Sequence, residues 1–289
     1  MAGIRLVTDG ASDLTPALIA DLPITVVPLD VRLGELGPAD TRKMSPESFW
    51  QACAATTALP ETSAPSPGDF QRAFLEAKER GEDGVICVTL SAELSATYQA
   101  AASAAAAVSS EIPVEVIDSR SATMGEGLIV LDAAVRAANG ASLNEVAAAV
   151  RRCSNEIVAV GALDTLDNLR RGGRIGSAQA FFGALLSVKP VIQISNGVVA
   201  GESRQRTRAR SFAYVVEKVA ASGPFQRLAV VHAAAPDIEQ FVDLASRLHP
   251  REDILVATIG PVVGAHTGPG TVAICAQRAD TRGEDGAQR

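Results

Sequence analysis

The sequence predicts an α/β protein of two α/β domains, the N-terminal one a parallel sheet covered by helices, the C-terminal one built on a mixed, partly antiparallel sheet. Three observations carry that expectation. The chain has 289 residues, and single cores stop growing at roughly 250–300. Through the first half, short β-rich runs alternate with helix-length segments, the pattern of βα units and parallel strands. In the second half Asn196-Gly197 separates two apolar runs, and an Asn-Gly turn signals an antiparallel hairpin. The expected division is 1–153, 154–278 and a polar, flexible tail at 279–289.

Taken in order, Ile4–Val7 is a short strand ending at Thr8-Asp9-Gly10. Thr15-Pro16 opens a helix to Leu22, because threonine suits the N-cap and proline the first helical position. Ile24–Leu33 is a second strand interrupted by Pro28. Ser45-Pro46 repeats the cap signal before a helix to about Ala55, and Ser66-Pro67-Gly68-Asp69 does so with capping-box spacing before a helix to about Arg80. Gly84–Leu90 is continuously apolar, as suits a strand buried on both faces. An alanine-rich helix capped by Ser95 and reaching Val108, a strand at Val114–Ile117, a helix across Gly125–Ala138 and another opened by Ser142-x-x-Glu145 complete this half.

Beyond Cys153, Ile157–Leu163 reads as a strand, and short helices flank Arg171–Gly176. The hairpin pairs Val188–Ile194 with Val198–Ala200. A helix at Thr207–Ala221, a strand at Leu228–His232, a helix at Pro236–Leu248 and strands at Ile254–Ile259 and Thr271–Cys275 follow. The glycine- and proline-dense stretch Gly260–Gly270 is expected to be an irregular loop with close backbone approach.

Composition removes whole classes of function. Net charge is −7, so no general phosphate-attracting field exists and nucleic acid is not expected as a ligand. No signal peptide is evident at the start, and the late apolar stretch Phe181–Ile194 is broken by Lys189 and Pro190, too short for a membrane span. A cytoplasmic protein is expected. Cys53, Cys87, Cys153 and Cys275 form no C-x-x-C pair, which argues for reduced thiols and against zinc or a disulfide framework. None of the four lysines follows a glycine, so the phosphate-binding P-loop is excluded. Gly268-Pro269-Gly270-Thr271-Val272-Ala273 fits a relaxed dinucleotide pattern by letters but leads into a β-branched run instead of a helix. No serine sits in G-x-S-x-G, and His232, His249 and His266 are scattered. No metal and no cofactor are expected.

Four segments keep polar residues where structure-forming backbone is expected. Glu61–Pro67 reads either as a capping loop or as a site, since capping uses Ser66 but leaves Thr62 and Ser63 without a task. Leu90–Gln99 leaves a buried strand for a helix start, the carboxyl end of a sheet where α/β proteins bind ligands. Unpaired N–H groups there suit an anion, and capping by Ser95 is the plainer alternative. Leu169–Gly176 sets three arginines among three glycines, an anion site or a solvated turn. Gly260–Gly270 holds His266 in a loop.

Thr62-Ser63-x-Pro65-Ser66-Pro67-Gly68-Asp69-Phe70, Leu94-Ser95-x-Thr97-Tyr98-Gln99, Asp118-Ser119-x-Ser121-x-x-Met124-Gly125, Gly172-Gly173-Arg174-Ile175-Gly176 and Ile259–Gly270 occur in this order. Together with Val7-Thr8-Asp9 and Ser12-Asp13-Leu14, they resemble the DegV family of bacterial fatty-acid-binding proteins, which includes the lipid-binding (FakB) subunits of fatty acid kinase. The resemblance runs from about Ile4 to Cys275. Ala96 and Ala64 depart from it, standing where the family usually has Gly and commonly has Gln.

The resemblance implies a ligand tunnel between the domains holding one long-chain fatty acid. Its carboxylate would be bound by the hydroxyls of Thr62 and Ser95, with Ser63 and the N–H of Ala96 adjacent and His266 and Arg174 close to the same group. The bound acid would be the only ligand, presented to a separate ATP-binding kinase subunit that makes the acyl-phosphate. Exchange of lipid would involve transient membrane contact. Apolar residues of Gly125–Ala138 and Phe181–Leu186 are candidate walls, though ordinary core is the plainer reading of each. Arg204, Arg206, Arg208 and Arg210 form a local positive run, either a solvated face or a dock for the kinase subunit. The alternative function is a serine hydrolase or acyltransferase with Ser95 as nucleophile, His266 as base and Asp118 or Asp9 as the acid.

Overall fold

Hydroxyl caps set the helix starts of the N-terminal half. Thr15, Ser45, Ser66 and Ser142 each accept the N–H three residues on, at 3.2–3.4 Å, and Asp69 and Glu145 close the reciprocal bonds of two capping boxes. The computed structural model describes residues 3–182 and 188–279. Its first elements are β1 (Ile4–Asp9), α1 (Pro16–Ile19), β2 (Ile24–Val27), β3 (Asp30–Arg32), α2 (Pro38–Thr41) and α3 (Pro46–Ala54). They are followed by β4 (Glu61–Ser63), α4 (Pro67–Glu79), β5 (Gly84–Thr89), α5 (Thr97–Ala107), β6 (Val114–Asp118), α6 (Met124–Ala138) and α7 (Leu143–Glu156). The second half runs β7 (Ile157–Ala162), α8 (Asp167–Arg171), α9 (Ala178–Phe182), β8 (Lys189–Ser195) and β9 (Val198–Gln205). It closes with α10 (Arg208–Ala220), β10 (Phe225–His232), α11 (Ile238–Ala245), β11 (Ile254–Thr258), α12 (Pro261–Thr267) and β12 (Val272–Arg278).

The fold is two-domain α/β, as expected. The first sheet is wholly parallel, ordered β2-β1-β5-β6, with β5 buried along its length. The second is mixed, ordered β11-β10-β12-β7-β8-β9, with one parallel pair, β10 with β11. Phe70, Phe74, Ala101 and Ala104 of α4 and α5 cover one face of the first sheet against Val7, Val85 and Cys87. Phe212, Val215 and Phe241 of α10 and α11 cover the outer face of the second. Between the sheets lie α6 and α7, and twelve of the fifteen residues of α6 are buried because it packs against β1 and β5 on one side and β12 and β10 on the other. That explains its apolar residues on every face. The resulting core is continuous, joining Leu6 and Ile86 of one sheet to Ala229, Val231 and Cys275 of the other.

The structure corrects several expectations. The Ile24–Leu33 run splits at Pro28, which has no N–H for a ladder: β2 joins the parallel sheet, while β3 pairs with β4 in a separate two-stranded ribbon. Ser95 does not occupy the cap position of α5; Ala96 does, with no side-chain bond. Gly260–Gly270 is not an irregular loop, because Gly260 as N-cap and Pro261 in the first turn start α12. The division expected after Cys153 falls inside the last turn of α7. Within the expected wall Phe181–Leu186, the positions 183–186 lie outside the described residues, as do 280–289 of the expected tail. Among the described residues no helix is long and apolar enough to cross a membrane.

Candidate functional site

A cavity with about 900 Å³ of empty space, counting its open mouth, lies between the inner face of the second sheet, α12 and the β5–α5 connection. Its floor follows from strand register. Gly161 of β7 sits opposite Ala273 of β12, and Ala159 opposite Cys275, so the strand period of two puts these four small residues on one face. Ile192 and Ile194 of β8, Leu163 and Val199 close the side, and Ile259, Val262 and Val263 form the roof. Thr123, Gln193, Thr267 and Thr271 also border the space, and the three threonine hydroxyls bond to Asp13, Val263 and Thr267 respectively.

Polar groups collect at one end, where Thr62, Ser95, Arg174 and His266 all border the cavity. Thr62 arrives on β4, held in place by its pairing with Val31 of β3. Its Oγ1 lies 2.9 Å from Nε2 of His266 on α12. Nδ1 of that ring is buried with no hydrogen-bond partner. A Cβ on Gly172 would come within 2.3 Å of it, so only glycine lets the α8 terminus approach the imidazole this closely. Burial first, and the Arg174 charge second, push the His266 pKa down to about 4. The ring is therefore neutral near pH 7.

Arg174 donates Nε–H to the Leu94 carbonyl at 3.1 Å and Nη1–H to that of Gly172 at 2.7 Å. It is half-buried, and among the described residues no carboxylate pairs with it. Two of its five N–H donors are thereby used, leaving three and the whole positive charge for something else. Ser95 Oγ lies 2.9 Å from the hydroxyl of the buried Thr97 and accepts the Thr97 N–H at 3.4 Å. Both cavity hydroxyls thus have a polar neighbour, His266 for Thr62 and Thr97 for Ser95.

Ser63 and Ala96 are not part of the wall. Ser63 follows Thr62 on a strand and so faces the other way, exposed. Ala96 is also exposed at the start of α5. The hydrolase geometry is not assembled: His266 bonds to Thr62 and Ser95 to Thr97. Asp118 accepts backbone N–H groups from Ala92 and Arg120, and Asp9 from Ala11 and Leu90. Of the four arginines expected to form a dock, Arg208 is committed to Asp237 at 2.6 and 2.8 Å and to Asp164 at 3.2 Å. Arg204 stacks over the Phe181 ring at 4.9 Å, while Arg206 and Arg210 are exposed. Of the helix α6 wall candidates, none borders the cavity; Ala122 and Thr123 just before it do.

Three supports were not foreseen. Trp50 donates its indole N–H to the Ile259 carbonyl at 2.9 Å, fixing the entry to α12 from α3. Asp13 accepts the Gly260 N–H at 2.9 Å and the Thr123 hydroxyl at 2.5 Å, tying the first domain to the start of α12. Thr123 itself, at φ 50°, is held in a strained conformation by that clamp. Proline after glycine at 260–261 was the one local signal that could have revealed the helix these residues position.

Fold and cavity define a two-domain α/β protein with an apolar chamber bordered by hydroxyls, a neutral imidazole and a guanidinium without an acidic partner. The chain belongs to the DegV family, whose model matches residues 3–279. It is 37% identical over 277 residues to a DegV domain-containing protein of Streptomyces coelicolor, covering 94% of this chain and 97% of that one. Among solved structures it is similar to a fatty-acid-binding DegV family protein from Thermus thermophilus, at TM-score 0.86 and 35% identity, over 96% of this chain and 100% of that one. DegV of Bacillus subtilis, a fatty acid binding protein, superposes at TM-score 0.86 with 29% identity over 96% and 100%.

Proposed function

We propose that this protein binds one long-chain fatty acid in the chamber and presents its carboxylate to a separate ATP-binding kinase subunit for conversion to an acyl-phosphate. The observation that carries the reading is the half-buried Arg174 without an acidic partner, set beside the Thr62 and Ser95 hydroxyls at the border of an apolar cavity. A carboxylate leaving water needs donors and a counter-charge, and this end supplies both. Burying a 16-carbon chain removes about 14 methylenes from water, a gross gain of about 11 kcal/mol at roughly 0.8 kcal/mol each. Binding costs of several kcal/mol reduce it, so chain burial sets affinity while the polar end sets orientation.

In this reading His266 carries its proton on Nε2 and donates to Thr62, which turns the Thr62 hydroxyl toward the acid; the bare Nδ1 beside Gly172 fits that tautomer. No cofactor is required. The relatives described as fatty-acid-binding proteins support a carrier and not a catalyst. The kinase subunit would dock beside Arg204, Arg206 and Arg210, with Arg208 serving structure, and the protein would work in the cytoplasm with transient membrane contact for exchange.

Native mass spectrometry of the purified protein tests the reading. An adduct with the mass of a 16- or 18-carbon fatty acid is expected. Thr62→Ala with Ser95→Ala should keep the fold and lower palmitate affinity roughly tenfold, the loss of about two charge-assisted bonds partly offset by water. Unchanged affinity in that variant would sink the head-group assignment.

A further inference from the structure

Between the end of β5 and Ser95 stands Ser91, fully buried and with every polar atom in use. Its N–H donates to the Ser121 carbonyl at 2.8 Å, and its own carbonyl accepts the N–H groups of Leu94 at 3.0 Å and Ser95 at 3.2 Å. Its hydroxyl accepts the Glu93 N–H at 3.3 Å and donates to the Gly197 carbonyl at 2.7 Å. Gly197 belongs to the other domain, in the Asn196-Gly197 turn that joins β8 to β9. Both turn residues lie at positive φ, 52° and 83°, as a two-residue hairpin turn requires. A Cβ on Gly197 would stand 2.6 Å from the Ser91 hydroxyl, so glycine serves the turn and the contact between domains at once. Arg120 donates to the Asn196 side chain at 3.3 Å and steadies the same turn.

The short segment closed by these bonds carries two groups of the polar end. Ser95 hangs directly from the Ser91 carbonyl, so a shift of Ser91 moves the hydroxyl that borders the chamber. Leu94 hangs from the same carbonyl and offers its own to Arg174 Nε–H at 3.1 Å. The second domain therefore grips this segment twice, at Gly197 and at Arg174. Ser91 itself does not border the chamber, so it has no direct contact to give a ligand there. Resting on the fatty-acid reading, we infer that Ser91 is a positioning residue for the carboxylate: its bond to Gly197 sets the Ser95 hydroxyl where the acid is held. Without that bond the buried Gly197 carbonyl loses its partner and the segment is free to shift. Hydrogen bonds weaken steeply as distance and angle depart from their optimum, so a small shift at Ser95 reaches the ligand. An effect of this kind passes through Ser95, which distinguishes it from an ordinary core bond.

Palmitate affinity and Tm, measured over the cycle of Ser91→Ala and Ser95→Ala, test the assignment. Each single change should weaken palmitate binding about threefold, the worth of one hydrogen bond partly replaced by water. In the Ser95→Ala background, Ser91→Ala should cost less than about 1.5-fold in affinity while lowering Tm as much as it does alone. In the Thr62→Ala background it should keep its whole cost. Losses that multiply in the Ser95→Ala background, or no loss in the wild-type background, overturn the positioning role. Gly197→Ala reaches the same contact from the other domain and should show the same dependence on Ser95. It decides the matter where Ser91→Ala does not fold, and a loss independent of Ser95 there overturns the role equally. Failure of the wild type to bind palmitate removes the fatty-acid reading and this inference with it. Multiplying losses in a chain that does bind palmitate strike only the role of Ser91.

Discussion

Residue by residue, the site depends on one charge left unmatched and one imidazole kept neutral. Arg174 and His266 face the same volume, and the cation helps hold the ring unprotonated, with its pKa near 4. Histidine NMR of the ligand-free protein should find His266 neutral down to about pH 5, and Arg174→Met should move its midpoint upward. A wild-type midpoint near the ordinary value of about 6.5 would show that the ring is solvated and the site open. Little of this pairing was legible from residue types alone. Thr62 and His266 are 204 positions apart, and no local spacing announces such a contact; the family resemblance brought them together. Gly172 was visible as part of a glycine cluster, but its role as the space beside Nδ1 is a tertiary fact.

At the scale of elements, caps were the readable signal and buried carboxylates the unreadable one. Ser66 and Ser142 start helices as their spacing requires, whereas the glycines of Gly260–Gly270 mask the helix that Pro261 starts as α12. That helix is anchored by Asp13, which burial pushes up to about 7, as it does Asp9. A carboxyl raised in the folded state binds protons that the unfolded chain has lost, so its contribution makes stability fall as pH rises from about 4 to 7. Asp13→Asn removes that penalty. Its Tm relative to wild type should therefore be higher at pH 8 than at pH 5 by several degrees, at roughly 2–4 °C per kcal/mol. The same offset at both pH values would mean that Asp13 stays ionised across the range and that the clamp is not a buried acid.

For the whole molecule, alternating strands and helices and one Asn-Gly turn were enough to anticipate a parallel sheet and a mixed one. The strand order of the second sheet was not, since β12 inserts between β10 and β7 through contacts without local sequence signature. Nor was the sandwiching of α6 between two sheets, although its apolar residues on every face are what such a position demands. That order matters to function, because it sets Ala159, Gly161, Ala273 and Cys275 side by side and so opens the chamber. A crystal structure of the protein with palmitate measures the consequence most directly. The account predicts the carboxylate about 3 Å from the Thr62 and Ser95 hydroxyls, with the chain lying over those four small residues. A chamber that stays empty, or a carboxylate bound away from those two hydroxyls, would contradict it.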